Sequence, residues 1–107
     1  MERVLERSPD TTAVVASNDL TAIGALRAIR QRGLRVPQDI SVVGFDDIQM
    51  AQFTEPPLTT VKLVRTEVAR LACEALLHSI KNRGTGVEFR MSTSLVVRSS
   101  TGAAAVV

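Results

Sequence analysis

The sequence predicts an α/β fold built on a mostly parallel sheet. Two apolar runs rich in β-branched residues, Thr12–Ala16 and Ile40–Phe45, have the composition of strands that are buried on both faces. The segment between them, Leu20–Arg32, repeats its apolar residues at helical spacing. A strand, a helix and a second strand in this order form a crossover unit, in which the two strands run parallel.

The composition fits one small globular domain. The chain has 107 residues, of which 45% are hydrophobic and 22% are charged. Thirteen basic against 11 acidic residues give a net charge of +2, too little to neutralise a run of phosphates, so nucleic-acid binding by this segment alone is not expected. With one cysteine and one histidine, the sequence predicts no disulfide, no metal site and no cofactor.

The sequence also argues against a membrane protein. No apolar stretch reaches the roughly 18 residues that a transmembrane helix needs. The N-terminal residues MERVLERSPD lack the apolar core of a signal peptide. We therefore expect a cytoplasmic protein without a membrane partner.

The first half of the chain divides at clear stop signals. Residues 2–7 form a short helix that Ser8-Pro9 ends. Thr12–Ala16 is expected to be a central strand of the sheet, and the helix that follows ends at Gly33, a residue suited to a C-terminal cap. The second strand is followed by Ile48–Phe53, which has room for one or two helical turns.

The second half is predicted to contain one longer helix between strands. Leu58–Leu63 is a third strand or an extended crossing segment, and Thr66 is a candidate cap for a helix that ends before Gly84. That helix has an apolar stripe formed by Val68, Leu71, Ala72, Ala75, Leu76 and Ile80. Two further strands are expected at 87–91 and 94–98, so that residues 1–100 form one subdomain and residues 101–107 a flexible tail.

Two residues of the longer helix could suggest chemistry. Lone His78 has no serine or carboxylate placed to form a triad with it, so it is expected on the surface. Cys73 lies next to the apolar stripe and is interpreted as a packed side chain rather than a nucleophile.

Polar residues follow the two strands of the crossover unit. Asn18-Asp19 leaves the first strand and Asp46-Asp47 the second, and ligands of parallel sheets bind outside these carboxyl ends. Amide and carboxylate groups suit a ligand with several hydroxyls or an exocyclic amine, whereas acidic groups repel phosphate. Alternatively, Asn18 or Asp19 caps the helix, and Asp46 and Asp47 are solvated turn residues.

A second candidate surface carries apolar side chains. Ile48, Met50 and Phe53 lie in a segment too short to bury them by its own folding, and Ile23 and Arg27 could extend the same surface. These side chains either pack on the domain or face a partner. If they face a partner, the isolated chain exposes an apolar patch and should self-associate.

Three segments together closely resemble the lactose/galactose-repressor family of bacterial transcription regulators. They are TAVVASNDLTAIGALRAIRQRGLRVPQDISVVGFDD at 12–47, PPLTTVK at 56–62 and SLVVRSS at 94–100. The resemblance places the chain in the C-terminal part of the family's effector-binding domain. It implies a three-layer Rossmann-like half of a periplasmic-binding-protein-like fold.

The resemblance implies roles for individual residues. Asn18 and Asp46 would hydrogen-bond a small effector, expected to be a sugar or related metabolite, with Asp19 close by. The stretch after PPLTT, here with Leu63 and Arg65, supplies a cleft residue in some relatives.

The resemblance also implies partners. Ile23, Arg27, Met50, Phe53 and Thr54 would lie at a homodimer interface. Family members are much longer and bind operator DNA through an N-terminal helix-turn-helix domain that these 107 residues do not include. The chain is therefore expected to be a fragment.

The predicted function is the effector-sensing and dimerisation portion of a transcription repressor. The alternative is a periplasmic sugar-binding protein of a transport system, which shares the fold. An enzyme that uses Asp46 and Asp47 as acid and base is not expected, because adjacent side chains on one loop tend to point apart.

Overall fold

The computed structural model describes residues 1–106, and the elements follow the predicted order. In chain order they are α1 (Glu2–Arg7), β1 (Ala13–Val15), α2 (Asp19–Gln31), β2 (Ser41–Asp46), a 3₁₀ helix (Gln49–Phe53), β3 (Thr59–Lys62), α3 (Arg65–Lys81) and β4 (Ser94–Val96). Within these residues, no helix is both long enough and apolar enough to cross a membrane.

The four strands form one sheet in the order β1-β2-β3-β4. β2 runs parallel to both β1 and β3, with Val14 opposite Val42 and Val43 opposite Thr59. This confirms the predicted α/β class with a mostly parallel sheet. The predicted central position of the first strand is wrong for this sheet, since β1 is at its edge and Val15 is 80% exposed. Apolar composition indicates which faces can be buried, but it does not identify the neighbouring strands.

The core lies between α2 and the sheet. Ile29 on α2, Val42 on β2 and Leu58 just before β3 are fully buried. The helix buries the apolar face that its spacing predicts. It ends at Gln31, and Gly33 follows the C-cap residue with a φ of +73°. Leu34 N donates a hydrogen bond to Ile29 O, so the predicted glycine cap is confirmed.

Residues 100–102 of the C-terminal segment form hydrogen bonds with the amino ends of β2 and β3. The buried Ser100 hydroxyl donates to Val42 O at 2.6 Å and accepts from Thr59 N at 2.8 Å. Gly102 N donates to Ser41 Oγ at 3.1 Å, so part of the predicted flexible tail contacts the sheet. The last residue of that predicted tail, residue 107, lies outside the described residues.

The chain divides into two compact units. Met1–Lys62 and the chain from Leu95 onward form the first, and Leu63–Ser94 forms the second. Apart from Leu63 and Arg65, the site residues described below belong to the first unit.

The second unit consists mainly of α3. The predicted helix is present, but the expected cap at Thr66 is wrong, because the N-cap position is Val64 and no side chain caps the helix. None of its residues is buried, and Cys73 is exposed, so the interpretation of Cys73 as a packed side chain is also wrong. The apolar stripe correctly predicts the helix, but it does not identify the residues that would cover it. His78 is exposed, as expected.

Two predicted strands of the C-terminal third have different outcomes. The segment 87–91 is not a strand, although its apolar residues alternate with polar ones. β4 is present within the predicted 94–98 segment and is shorter than expected.

Candidate functional site

Polar residues lie at the carboxyl ends of neighbouring parallel strands, as the crossover predicts. Asn18 follows β1, and Asp46 ends β2. The strand register places Asp46 opposite Lys62, the last residue of β3. This edge of the sheet therefore presents an amide, a carboxylate and an ammonium group from three consecutive turns or strand ends.

The backbone at the end of β2 has an unusual conformation. Asp46 has a φ of 114° and Asp47 a φ of 55°, both in the region that L-residues with side chains rarely adopt. Such conformations cost free energy and persist where surrounding contacts determine them, often at functional sites. We refer to residues 46–48 as the Asp46 turn.

Asp47 and Asp46 differ in their partners. The Asp47 carboxylate accepts a hydrogen bond from Arg98 Nη2 at 2.7 Å, and both side chains are mostly buried, at 14% and 20% exposure. In residues 1–106 the ion pairs engage Asp47 and not Asp46. Asp46 is partly buried. Arg98 lies in the SLVVRSS segment, but no local pattern marks it as a site residue.

Asp19 has a different environment from its neighbour. Its side chain is fully buried, Oδ1 accepts from Thr60 Oγ1 at 2.5 Å and Oδ2 accepts from Ile48 N at 2.8 Å. The carboxylate thus joins the start of α2 to β3 and to the Asp46 turn. A Cβ at Gly44 would lie 2.2 Å from Asp19 Oδ1, so β2 approaches this carboxylate through a glycine.

Asn18 is the N-cap of α2. Its side-chain oxygen accepts from Thr21 N at 2.8 Å, so the capping alternative is confirmed for Asn18 and not for Asp19. The cap uses only the oxygen, and the NH₂ group of the same amide retains two donors. Capping and ligand binding by Asn18 are therefore compatible.

Leu63 and Arg65, the remaining predicted effector contacts, begin the second unit. They follow β3, and Arg65 is the first residue of α3. Their contact with an effector stays a prediction.

Three of the predicted interface residues line one groove on the first unit. Ile23, Arg27 and Thr54 line a groove of about 400 Å³. Phe53 is 74% exposed in the adjoining 3₁₀ helix, and Met50 is also exposed there. Phe53 directly precedes Thr54 in the chain, and we call the set Ile23, Arg27, Met50, Phe53 and Thr54 the Phe53 surface.

Comparison with known proteins identifies the family. The family model for the periplasmic binding protein-like domain matches residues 1–101. The chain belongs to this family. The ribose operon repressor of Haemophilus influenzae is 45% identical to this periplasmic binding protein-like domain over 82 residues, which cover 77% of the chain and 25% of the repressor.

Two solved structures are similar in fold and sequence to this periplasmic binding protein-like domain. The complex of the transcriptional regulator CelR with cellobiose has a TM-score of 0.83 and 39% identity, covering 92% of this chain and 31% of that chain. The lac repressor dimer bound to operator and the anti-inducer ONPF has a TM-score of 0.82 and 37% identity, covering 94% and 35%. The resemblance to the lactose/galactose-repressor family is thereby confirmed. The chain spans about a quarter to a third of the length of these relatives.

Proposed function

We propose that this chain is the effector-sensing and dimerisation portion of a bacterial DNA-binding transcription repressor that responds to a sugar or a related metabolite. The observation that carries the proposal is the placement of Asn18 and Asp46 at the carboxyl edge of two adjacent parallel strands. Similarity to repressors, rather than to transport proteins, supports this function over the periplasmic alternative.

The chemistry of the edge suits a polyhydroxylated ligand. The Asn18 NH₂ group donates hydrogen bonds and the Asp46 carboxylate accepts them, and a sugar hydroxyl does both. The relatives include a ribose operon repressor and a regulator solved with cellobiose. We assign further effector contacts to Leu63 and Arg65, which follow the third parallel strand.

The Phe53 surface is proposed as the homodimer interface. Exposed aromatic and aliphatic side chains with an arginine nearby are typical of interfaces, and the lac repressor relative is a dimer. Operator DNA would be bound by an N-terminal helix-turn-helix domain of a longer cytoplasmic protein. Effector binding and operator binding would then alter each other's affinity by the same factor.

Substitution of Asp46 tests the effector site. Asp46→Asn keeps the size of the side chain and removes the charged acceptor, so binding of ribose, cellobiose or lactose, titrated separately by calorimetry or NMR, should weaken about ten-fold or more for whichever sugar binds. Asp10→Asn, an exposed aspartate before β1, is the matched control and should leave affinity unchanged. Equal affinity of the Asp46→Asn variant and the original chain would contradict the assignment.

Substitution of Phe53 tests the interface. Phe53→Ser should reduce self-association in sedimentation velocity, because it removes the most exposed aromatic side chain of the surface. Val4→Ser, which removes an exposed apolar residue on α1, is the control and should not change the sedimentation profile. Equal self-association of Phe53→Ser and the original chain would exclude this surface.

A further inference from the structure

The Asp46 turn is held by two side chains that come from distant parts of the sequence. Asp19 binds the turn through Ile48 N, and Arg98 binds it through the Asp47 carboxylate. We propose that Asp19 and Arg98 are positioning residues, which hold this turn in its left-handed conformation so that Asp46 faces the effector. This inference deepens the proposed function and rests on it for the role of Asp46.

Asp19 is suited to fix the turn because its carboxylate is buried and both of its oxygens accept hydrogen bonds. It is fully buried, and its two oxygens contact Thr60 on β3 and Ile48 N at 2.5 and 2.8 Å. The close approach of Gly44 from β2 encloses the same carboxylate. The end of the turn is therefore linked to β3 and to the start of α2 through one side chain.

Arg98 holds the middle of the turn from the C-terminal segment. Its Nη1 donates to Leu58 O at 2.9 Å while its Nη2 donates to Asp47, and its backbone N donates to Thr59 Oγ1 at 2.9 Å. The guanidinium group is thus oriented by the backbone before β3. A planar group fixed at one edge presents its other donor in a defined direction, which a lysine cannot do.

Charge gives a second reason for Arg98. Three aspartates lie in or against the turn, Asp19, Asp46 and Asp47, and like charges close together disfavour one another. The ion pair offsets the charge of Asp47 and draws its side chain toward Leu58. Asp46 then remains as the acceptor for the ligand, which explains why two adjacent aspartates take different roles.

The test is a measurement of turn conformation that needs no ligand. Three-bond couplings between the amide and α protons report φ at Asp46 and Asp47 in the labelled 107-residue chain. Arg98→Gln and, as a second variant that retains the shape of the side chain, Asp19→Asn should change these couplings, and Arg98→Lys should restore them only in part. Arg32→Gln breaks an ion pair of 2.9 Å with Glu6 in the same unit and is the control that should leave them unchanged.

Sugar affinity separates this inference from the proposed function. In titrations with ribose, cellobiose and lactose, Arg98→Gln should weaken binding about ten-fold. The double variant Arg98→Gln with Asp47→Asn should bind no more weakly than Arg98→Gln, because both substitutions remove the same Asp47–Arg98 contact. Unchanged couplings in Arg98→Gln and Asp19→Asn would overturn the positioning role even if sugar binds. Changed couplings in a chain that binds none of these sugars would preserve the conformational role and overturn the effector assignment.

Discussion

A methyl group added at Gly44 tests the packing around Asp19 most directly. The Cβ of Gly44→Ala would lie 2.2 Å from Asp19 Oδ1 and 3.0 Å from Leu58 Cδ2. The leucine methyl group can move away, since it is the end of a flexible side chain. The carboxylate cannot move without lengthening its hydrogen bonds to Thr60 and Ile48 N.

The expected loss in the free energy of unfolding has two contributions, overpacking and the loss of a hydrogen bond. Overpacking a closely packed interior costs about 1–3 kcal/mol. Loss of one hydrogen bond to a buried charged group costs about 1.5–3 kcal/mol more. We therefore expect Gly44→Ala to lower the free energy of unfolding by about 4 kcal/mol.

Urea unfolding followed by circular dichroism measures this change. Gly24→Ala is the matched control, because Gly24 lies inside α2 and a Cβ there meets nothing within 4 Å. It should raise the free energy of unfolding by about 0.5–1 kcal/mol through helix propensity. If Gly44→Ala unfolds at the same urea concentration as the original chain, the enclosure of Asp19 by β2 is refuted.

Three further predictions concern contacts elsewhere in the first unit. Asn18→Ala should lower the free energy of unfolding by about 1 kcal/mol through loss of the cap, whereas Asn18→Asp should retain it, and equal unfolding midpoints for both would contradict the cap. Ser100→Ala leaves two buried backbone groups without their partner, so it should cost about 1–3 kcal/mol in urea unfolding, and a neutral result would exclude these bonds. The side-chain hydrogen bond from Arg35, followed by that from its backbone N, lowers the pKa of Asp39 from 3.8 to about 2, so the stabilisation by this pair is present above pH 3.8 and is lost as the pH falls toward 2. A ¹³C titration of Asp39 should therefore have its midpoint near 2 and move toward 3.8 in Arg35→Gln, and a midpoint of 3.8 in the original chain would contradict the pair.

Local patterns predicted the elements that depend on local interactions. The spacing of apolar residues located α2, Gly33 marked its end, and the crossover correctly placed Asn18 and Asp46 after neighbouring parallel strands. Each of these features is determined within a few residues along the chain or by the handedness of one connection. The sequence was therefore sufficient for the architecture around the site.

Contacts between distant residues were not predictable in the same way. Asp19 follows a strand just as a cap or a ligand-binding residue would, and its burial depends on Thr60, 41 positions later. The Asp47–Arg98 pair joins residues 51 positions apart, so no local pattern marks Arg98 as part of the site. β1 has the composition of a buried strand but lies at the edge of the described sheet. The residues of a strand do not specify which strands pair with it, so this position could not be predicted.

An NMR titration of the labelled chain with ribose, cellobiose and lactose tests directly whether a sugar binds at the carboxyl edge of the sheet. We expect a binding sugar to shift the Asn18 side-chain NH₂ signal and the backbone amide signals of Asp46 and Asp47. The exposed amides around Cys73 on α3 should not respond. A sugar that binds and shifts the signals of other residues, while the Asn18 and Asp46 signals stay fixed, would exclude this edge as the sugar site.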